Sequence, residues 1–257
     1  MRRLTKHTLR SKVAAELFQA IVSGTLQPGE RIYEENLAHR LGVAKTTLRE
    51  ALQNLEHRGL ITKYERRGSF VTKLMPKDIE EAYDVRLLLE PYAAALAHQR
   101  MDTARLSQLR SLLEEIRGAG ERRDFVRVSE RDALFHQLIW RESGNGLLAR
   151  QLRVVCFPLW AFELIRLFAA PTYSFDTALD EHRVLLDVLE KGDSERVRNT
   201  FREILVQFRD QDLRNLQALE SKPSQRPKKL SAVTSATEIW QAFFEQTHVL
   251  AAQQSPT

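Results

Sequence analysis

The sequence predicts a mainly α protein, with an N-terminal winged helix-turn-helix followed by a C-terminal all-helical antiparallel bundle. Three observations predict it. Residues up to about 75 read as three short amphipathic helices and a hairpin, whereas from Asp78 onward the apolar positions keep a helical period with no strand-like alternation. Charge divides at the same place: residues 1–75 hold 14 Lys and Arg against 7 acids, net +7, so the remainder carries −2 of the overall +5. Finally, the stretch GVAKTTLREALQNLEHRGLI (42–61) is an amphipathic helix that opens with Lys45 and Arg49. The helix macrodipole is positive at that end, so cations there call for an outside anion, and a phosphate backbone supplies one.

The elements follow in order. The first helix runs from about Thr8 to Ser23, with Val13, Leu17, Ala20 and Ile21 at helical spacing, and Gly24 ends it. LQPGERI is a turn around Pro28 and Gly29. Glu34 to Leu41 is a second short helix, stopped by Gly42; the third helix buries Leu48, Leu52 and Leu55 and stops at Gly59. LITKY and SFVTK are two strands around ERRG. The bundle helices are expected at 78–100, 103–118, 122–142, 146–168, 176–191 and 194–220. GAG (118–120), SGNG (143–146), AAPTYS (169–174) and KGD (191–193) separate them. These divisions give a domain at 1–75, a second at 76–220, and a tail at 221–257.

Composition limits the class. The chain has 257 residues, 43% hydrophobic and 28% charged, enough for two domains with a sizeable core. No apolar run reaches the roughly 18 residues of a membrane span, and the basic start leads into a segment too short and polar for a signal peptide. A cytoplasmic protein without a membrane partner is therefore expected. A single cysteine, Cys156, excludes an intramolecular disulfide and a cysteine-rich zinc module; its apolar setting, VVCFPLW, places it in the core. Pro158 in the same helix is expected to kink it.

PGERIYEENLAHRLGVAKTTLREALQNLEHRGLITKYERRGSFV (28–71) resembles the DNA-binding domain of the GntR family of bacterial transcription regulators, a match that extends from Leu26 to Val71. The resemblance implies that the third helix enters the major groove and the wing reaches the minor groove. The residue chemistry agrees. Lys45 and Arg49 share a face opposite the leucines, and Arg forks onto guanine O6 and N7 while Lys meets a phosphate or one base acceptor. Thr46 and Thr47 are placed to donate to phosphates. Arg66 and Arg67 at the hairpin tip suit a minor groove, with Gly68 permitting the turn. Two positions depart from the pattern. Glu35 stands where the family commonly has an Arg that contacts DNA, so either the operator differs or Glu35 turns aside to pair with a cation. Ala44 replaces the usual capping Ser or Thr, which costs about 1 kcal/mol; Thr47 with Glu50 is the candidate capping box one turn later.

DVRLLLEPYAAALA, DALFH and DEHRVLLDVLEKGD resemble the FCD effector domain of the FadR-like GntR subfamily, over 78 to about 219. In many members the bundle holds a metal through an Asp and a His four apart and two later histidines. Asp132 and His136 match the first pair and His182 the third ligand, but Ile204 stands where the fourth belongs. The periodicity puts Asp132 and His136 on one stripe with Val128, Phe135 and Ile139, and His182 with Leu179, Leu185, Leu186 and Leu189. Buried charge needs a counter-charge or a metal. Two readings stay open: a divalent zinc, nickel or manganese ion on three ligands, or a metal-free site where His136, His182 or Arg86 neutralises Asp132. Arg86 has two readings as well, as an internal ion pair or as the bidentate holder of an effector carboxylate.

The tail pairs a polar linker, SKPSQRPKK, with ATEIWQAFFEQTHVLAA, an amphipathic helix expected to dock. The functional expectation is a sequence-specific transcription regulator, a repressor and not an enzyme, that works as a homodimer on a palindromic operator in double-stranded DNA. Its helical domain takes a small-molecule effector, an organic acid. The alternatives are a regulator holding an acyl-CoA or other larger apolar ligand without metal, or a non-specific architectural DNA-binding protein. A metal-dependent hydrolase lacks any further convergent carboxylate set or Ser/His/Asp signature.

Overall fold

The structure is a computed structural model that describes residues 9–169 and 175–220, with side chains at 9–167 and 179–219. The expected linker and amphipathic tail helix lie outside the described residues, as does most of AAPTYS. The chain divides into two compact units between Lys73 and Leu74.

The first unit contains α1 (Leu9–Val22), β1 (Arg31–Ile32), α2 (Glu34–Leu41), α3 (Lys45–Glu56), β2 (Ile61–Tyr64) and β3 (Gly68–Val71). α1 buries Val13, Leu17, Phe18 and Ile21, and α3 buries Leu48, Leu52 and Leu55; the two helices pack on each other, with α2 against α3. Gly42 ends α2 in the left-handed conformation (φ 64°) and turns its N–H onto the carbonyls of Ala38 and His39. The tight turn that follows sets the entry into α3. Ala44 is the N-cap of α3 and makes no side-chain hydrogen bond. Thr47 lies inside the first turn, so the expected capping box with Glu50 does not form: the helix has already begun at Lys45.

The three strands run antiparallel in the order β1-β3-β2. β1 is a correction to the sequence reading, which took the whole of LQPGERI for a turn. Arg31 and Ile32 pair with Phe70 and Ser69, and Val71 N donates to Glu30 O at 2.9 Å. Two residues are too few to show alternation, and only their pairing with β3 reveals the strand.

The second unit is all helix among the described residues: α4 (Pro76–His98), α5 (Thr103–Glu121), α6 (Phe125–Glu142), α7 (Gly146–Ala169), α8 (Phe175–Lys191) and α9 (Ser194–Glu220). Their ends fall within three residues of those expected. GAG (118–120), however, does not break the bundle; α5 runs through it to Glu121. The break comes at Arg123, in a left-handed conformation (φ 55°), and Asp124 then caps α6 by accepting from Arg127 N at 3.1 Å. Glycine in a helix costs only about 1 kcal/mol relative to alanine, and burial of Ala119 between the two glycines offsets it. α7 continues through Pro158, as α4 does through Pro91. An apolar core of Leu109, Ile116, Phe135, Leu185, Phe201 and Ile204 joins α5, α6, α8 and α9, while Ile79, Tyr83, Leu159, Phe162 and Leu205 join α4, α7 and α9. Among the described residues no helix is long and apolar enough to cross a membrane.

Candidate functional site

Two sets of residues carry chemistry, one in each unit. On α3, Lys45, Thr46 and Arg49 are exposed and Thr47 is half-buried, while Leu48, Leu52 and Leu55 face inward. Arg49 is not a bare cation. Its Nε donates to Glu34 Oε2 on α2 at 2.7 Å, with 62% of the Arg49 side chain still exposed. An exposed pair of this kind is worth at most about 1 kcal/mol, so a phosphate or guanine edge competes with it at little loss. Glu35 is exposed and makes no ion pair among the described residues; its neighbour Glu34 does the pairing.

The wing tip is the β2–β3 turn. Arg66 sits there with positive φ (60°), and Gly68 at φ 94° adopts a conformation that a side chain would strain. The Arg67 guanidinium lies over the Tyr64 and Phe70 rings, 5.6 and 5.9 Å from their centroids. This stacking supports the cation without neutralising it.

In the second unit α6 carries Asp132 and His136 four residues apart, and α8 brings in His182. One potential ligand atom from each lies within 4.8 Å of the others. Asp132 Oδ1 is 2.7 Å from His182 Nε2 and 3.9 Å from His136 Nε2. Ligands about 2.1 Å from one ion stand about 3 to 4 Å from each other, so the set fits a dication with small side-chain adjustments. Burial alone would push the Asp132 carboxyl up; the hydrogen bond from His182 and the neighbouring positive charges outweigh it and hold the group below its usual range.

Behind the triad is a second layer that the sequence reading missed. Glu90 on α4, fully buried, accepts from Arg86 Nε at 3.0 Å and Trp140 Nε1 at 3.3 Å, and its Oε1 lies 3.0 Å from His136 Nδ1. Burial raises this carboxyl, but Arg86 and then His136 pull it the other way, down to about 2. With Nδ1 turned to Glu90, His136 presents Nε2 toward Asp132, the orientation in which a carboxylate supports a metal-binding histidine. The i,i+4 spacing of Arg86 and Glu90 was readable; the approach of α6 to the same carboxylate was not.

Arg86 is therefore in an internal ion pair, and its guanidinium also lies 4.6 Å from the Tyr83 ring centroid. Tyr83 in turn donates to Asp212 Oδ2 at 2.8 Å. Stacked Trp140 and Trp160, 5.6 Å apart, stand 6.1 and 6.5 Å from the His136 ring, and Phe135 and Phe208 flank His182. These rings exclude water and raise the strength of every charge interaction inside. Ile204 lies in the apolar core and offers no ligand, so the described set has three members. Cys156 is buried as expected, and burial pushes its thiol up. Three ligands leave a position on an ion for water or an added ligand.

Residues 9–71 match the family of bacterial regulatory proteins called gntR, and residues 81–207 match the FCD domain. The HTH-type transcriptional regulator YdhC of Bacillus subtilis is 33% identical, over 70% of this chain and 80% of its own length. A probable D-xylose utilization operon transcriptional repressor of Paenarthrobacter nicotinovorans is 31% identical, over 76% and 84%. Among solved structures, McbR/YncC of Escherichia coli aligns with a TM-score of 0.64 at 26% identity, covering 84% of this chain and all of that one.

Proposed function

Because this chain belongs to the GntR family of transcription regulators and carries an FCD domain, we propose that it is a dimeric repressor whose helical unit senses a small organic acid through a divalent metal. The family comprises DNA-binding regulators rather than enzymes. The observation that carries the finer reading is the cluster of Asp132, His136 and His182, with Glu90 orienting His136 from behind.

These three residues would hold zinc, nickel or manganese, and such an ion supplies an open position for a carboxylate. The chain's own groups do the rest. Glu90 sets the His136 tautomer, the two tryptophans exclude water, and Arg86 spends one of its five donors on Glu90, leaving others for a ligand. Lys45, Thr46, Thr47 and Arg49 read the major groove while Arg66, Arg67 and Gly68 approach the minor groove. Apolar residues remain exposed on α4 (Val85, Leu88, Tyr92) and on α7 (Leu147, Val154), Leu88 at 73%. Such faces favour a second copy, and a dimer reads a palindrome. The acid shifts the DNA-bound state only through a difference in its affinity for the two arrangements.

A metal-free reading has one observation in its favour: Asp132 Oδ1 lies 2.7 Å from His182 Nε2, close enough for an internal ion pair. The repressor reading is tested by selecting bound DNA from a random duplex pool at fixed salt, then adding a series of organic acids to the selected complex. An enriched palindrome released by one acid supports it. A pool that stays random overturns sequence-specific regulation.

A further inference from the structure

The exposed cations of the first unit are accommodated in different ways. Arg49 has Glu34, and Arg67 lies on Tyr64 and Phe70. Arg31, on the edge strand β1, has no acidic partner among the described residues and stands outside α3. Its strand pairs with β3 so that Arg31 faces Phe70 and Ile32 faces Ser69. From there the side chain reaches along the sheet to the wing tip: a Cβ built on Gly68 would lie 3.8 Å from both its Nε and its Nη2. The guanidinium carbon stands 5.3 Å from the Tyr33 ring centroid. The adjacent carboxylate, Glu30, is occupied by the Gln27 N–H at 2.8 Å. Arg31 is exposed and has no carboxylate partner among the described residues.

We infer that Arg31 is a further DNA contact, a phosphate clamp that works beside Gly68 at the wing tip. The inference rests on the DNA-binding function of the family. A guanidinium is a planar fork that matches two phosphate oxygens. Stacking on Tyr33 steadies that fork and leaves its charge uncompensated. The glycine gives the phosphate room, because it has no Cβ to fill the space in front of Nε and Nη2. Since Arg31 stands on an edge strand and not on α3, it grips backbone and contributes affinity without base preference.

The test measures binding of the full chain to two duplexes, a random-sequence one and one selected by the protein, across a salt series. Wild type, Arg31→Ala and Arg31→Lys are compared, with thermal melting to confirm folding. Arg31→Ala is expected to weaken both duplexes by the same factor, roughly tenfold. The magnitude of its salt slope is expected to fall by about one per head. Arg31→Lys keeps the charge and restores the slope. An Arg31→Ala slope equal to wild type overturns the clamp, as does a loss confined to the selected duplex, which would mean base reading. Failure of wild type itself to bind either duplex would instead sink the DNA-binding reading on which the clamp rests.

Discussion

The two units keep their charges in opposite ways. In the first, cations stand on the surface, held by an exposed carboxylate at Arg49 or by aromatic rings at Arg67 and Arg31. In the second, beside its surface pairs, one set of charged groups lies inside and is matched there: Arg86 and His136 on Glu90, His182 on Asp132. Exposed cations can exchange partners with little desolvation, which suits a reversible encounter with a polyanion. Buried ones cannot. A change at one member of a closed network must be answered by the others through packing, which suits a sensor that converts a small ligand into a structural change.

Breaking the buried network gives the largest effect. Glu90→Ala leaves Arg86 buried without its anion and should destabilise the second unit by about 3 to 5 kcal/mol in denaturant unfolding. A loss below about 1 kcal/mol would mean that the network relaxes as easily as a surface pair. The same carboxylate predicts a pH dependence. Its pKa in the folded protein, about 2, lies below the unfolded value of about 4.3. Its stabilisation is therefore complete above that unfolded value and is lost as pH falls toward 2. Glu90→Gln should flatten that part of the stability curve.

The surface network answers more gently and in a different assay. Arg49→Ala should cost about 1 to 3 kcal/mol of affinity for a selected operator while leaving the fold intact. Its binding to random DNA should change far less. Unchanged operator affinity would remove Arg49 from base reading and leave it as a surface partner of Glu34.

The smallest effect concerns the helix that runs through GAG. Gly118→Ala should stabilise the second unit by about 0.5 to 1 kcal/mol, since the position is helical. The added Cβ would meet only the end of the Arg122 side chain, at 3.3 Å. Destabilisation in a melting experiment would show that α5 does end near that glycine.

How much was legible follows from the same contrast. Helix limits could be read because Gly42, SGNG (143–146) and KGD (191–193) punctuate a strong apolar period, and punctuation is local. β1 could not, since a two-residue strand exists only through its pairing with Phe70 and Ser69. The glycines of GAG misled because their permissiveness is a local signal that the packing of Ala119 overrides. Asp132, His136 and His182 were found from their stripes and from resemblance. Glu90 as their support was not, since only the meeting of α4 with α6 brings its carboxylate to His136. Likewise Arg49 could be placed on the reading helix, but its hold on Glu34 depends on how α2 crosses α3.

The proposed function turns on whether the buried triad of the second unit holds a metal despite Ile204. Elemental analysis of tag-free protein purified without chelator tests it most directly, beside His182→Ala treated in the same way. The account predicts about one divalent metal per chain in the wild type and a clear loss in the variant. Wild type that carries none, even after exposure to zinc, nickel and manganese, would contradict it. Asp132 and His182 would then be an internal ion pair, and the effector would have to be a larger, more apolar molecule.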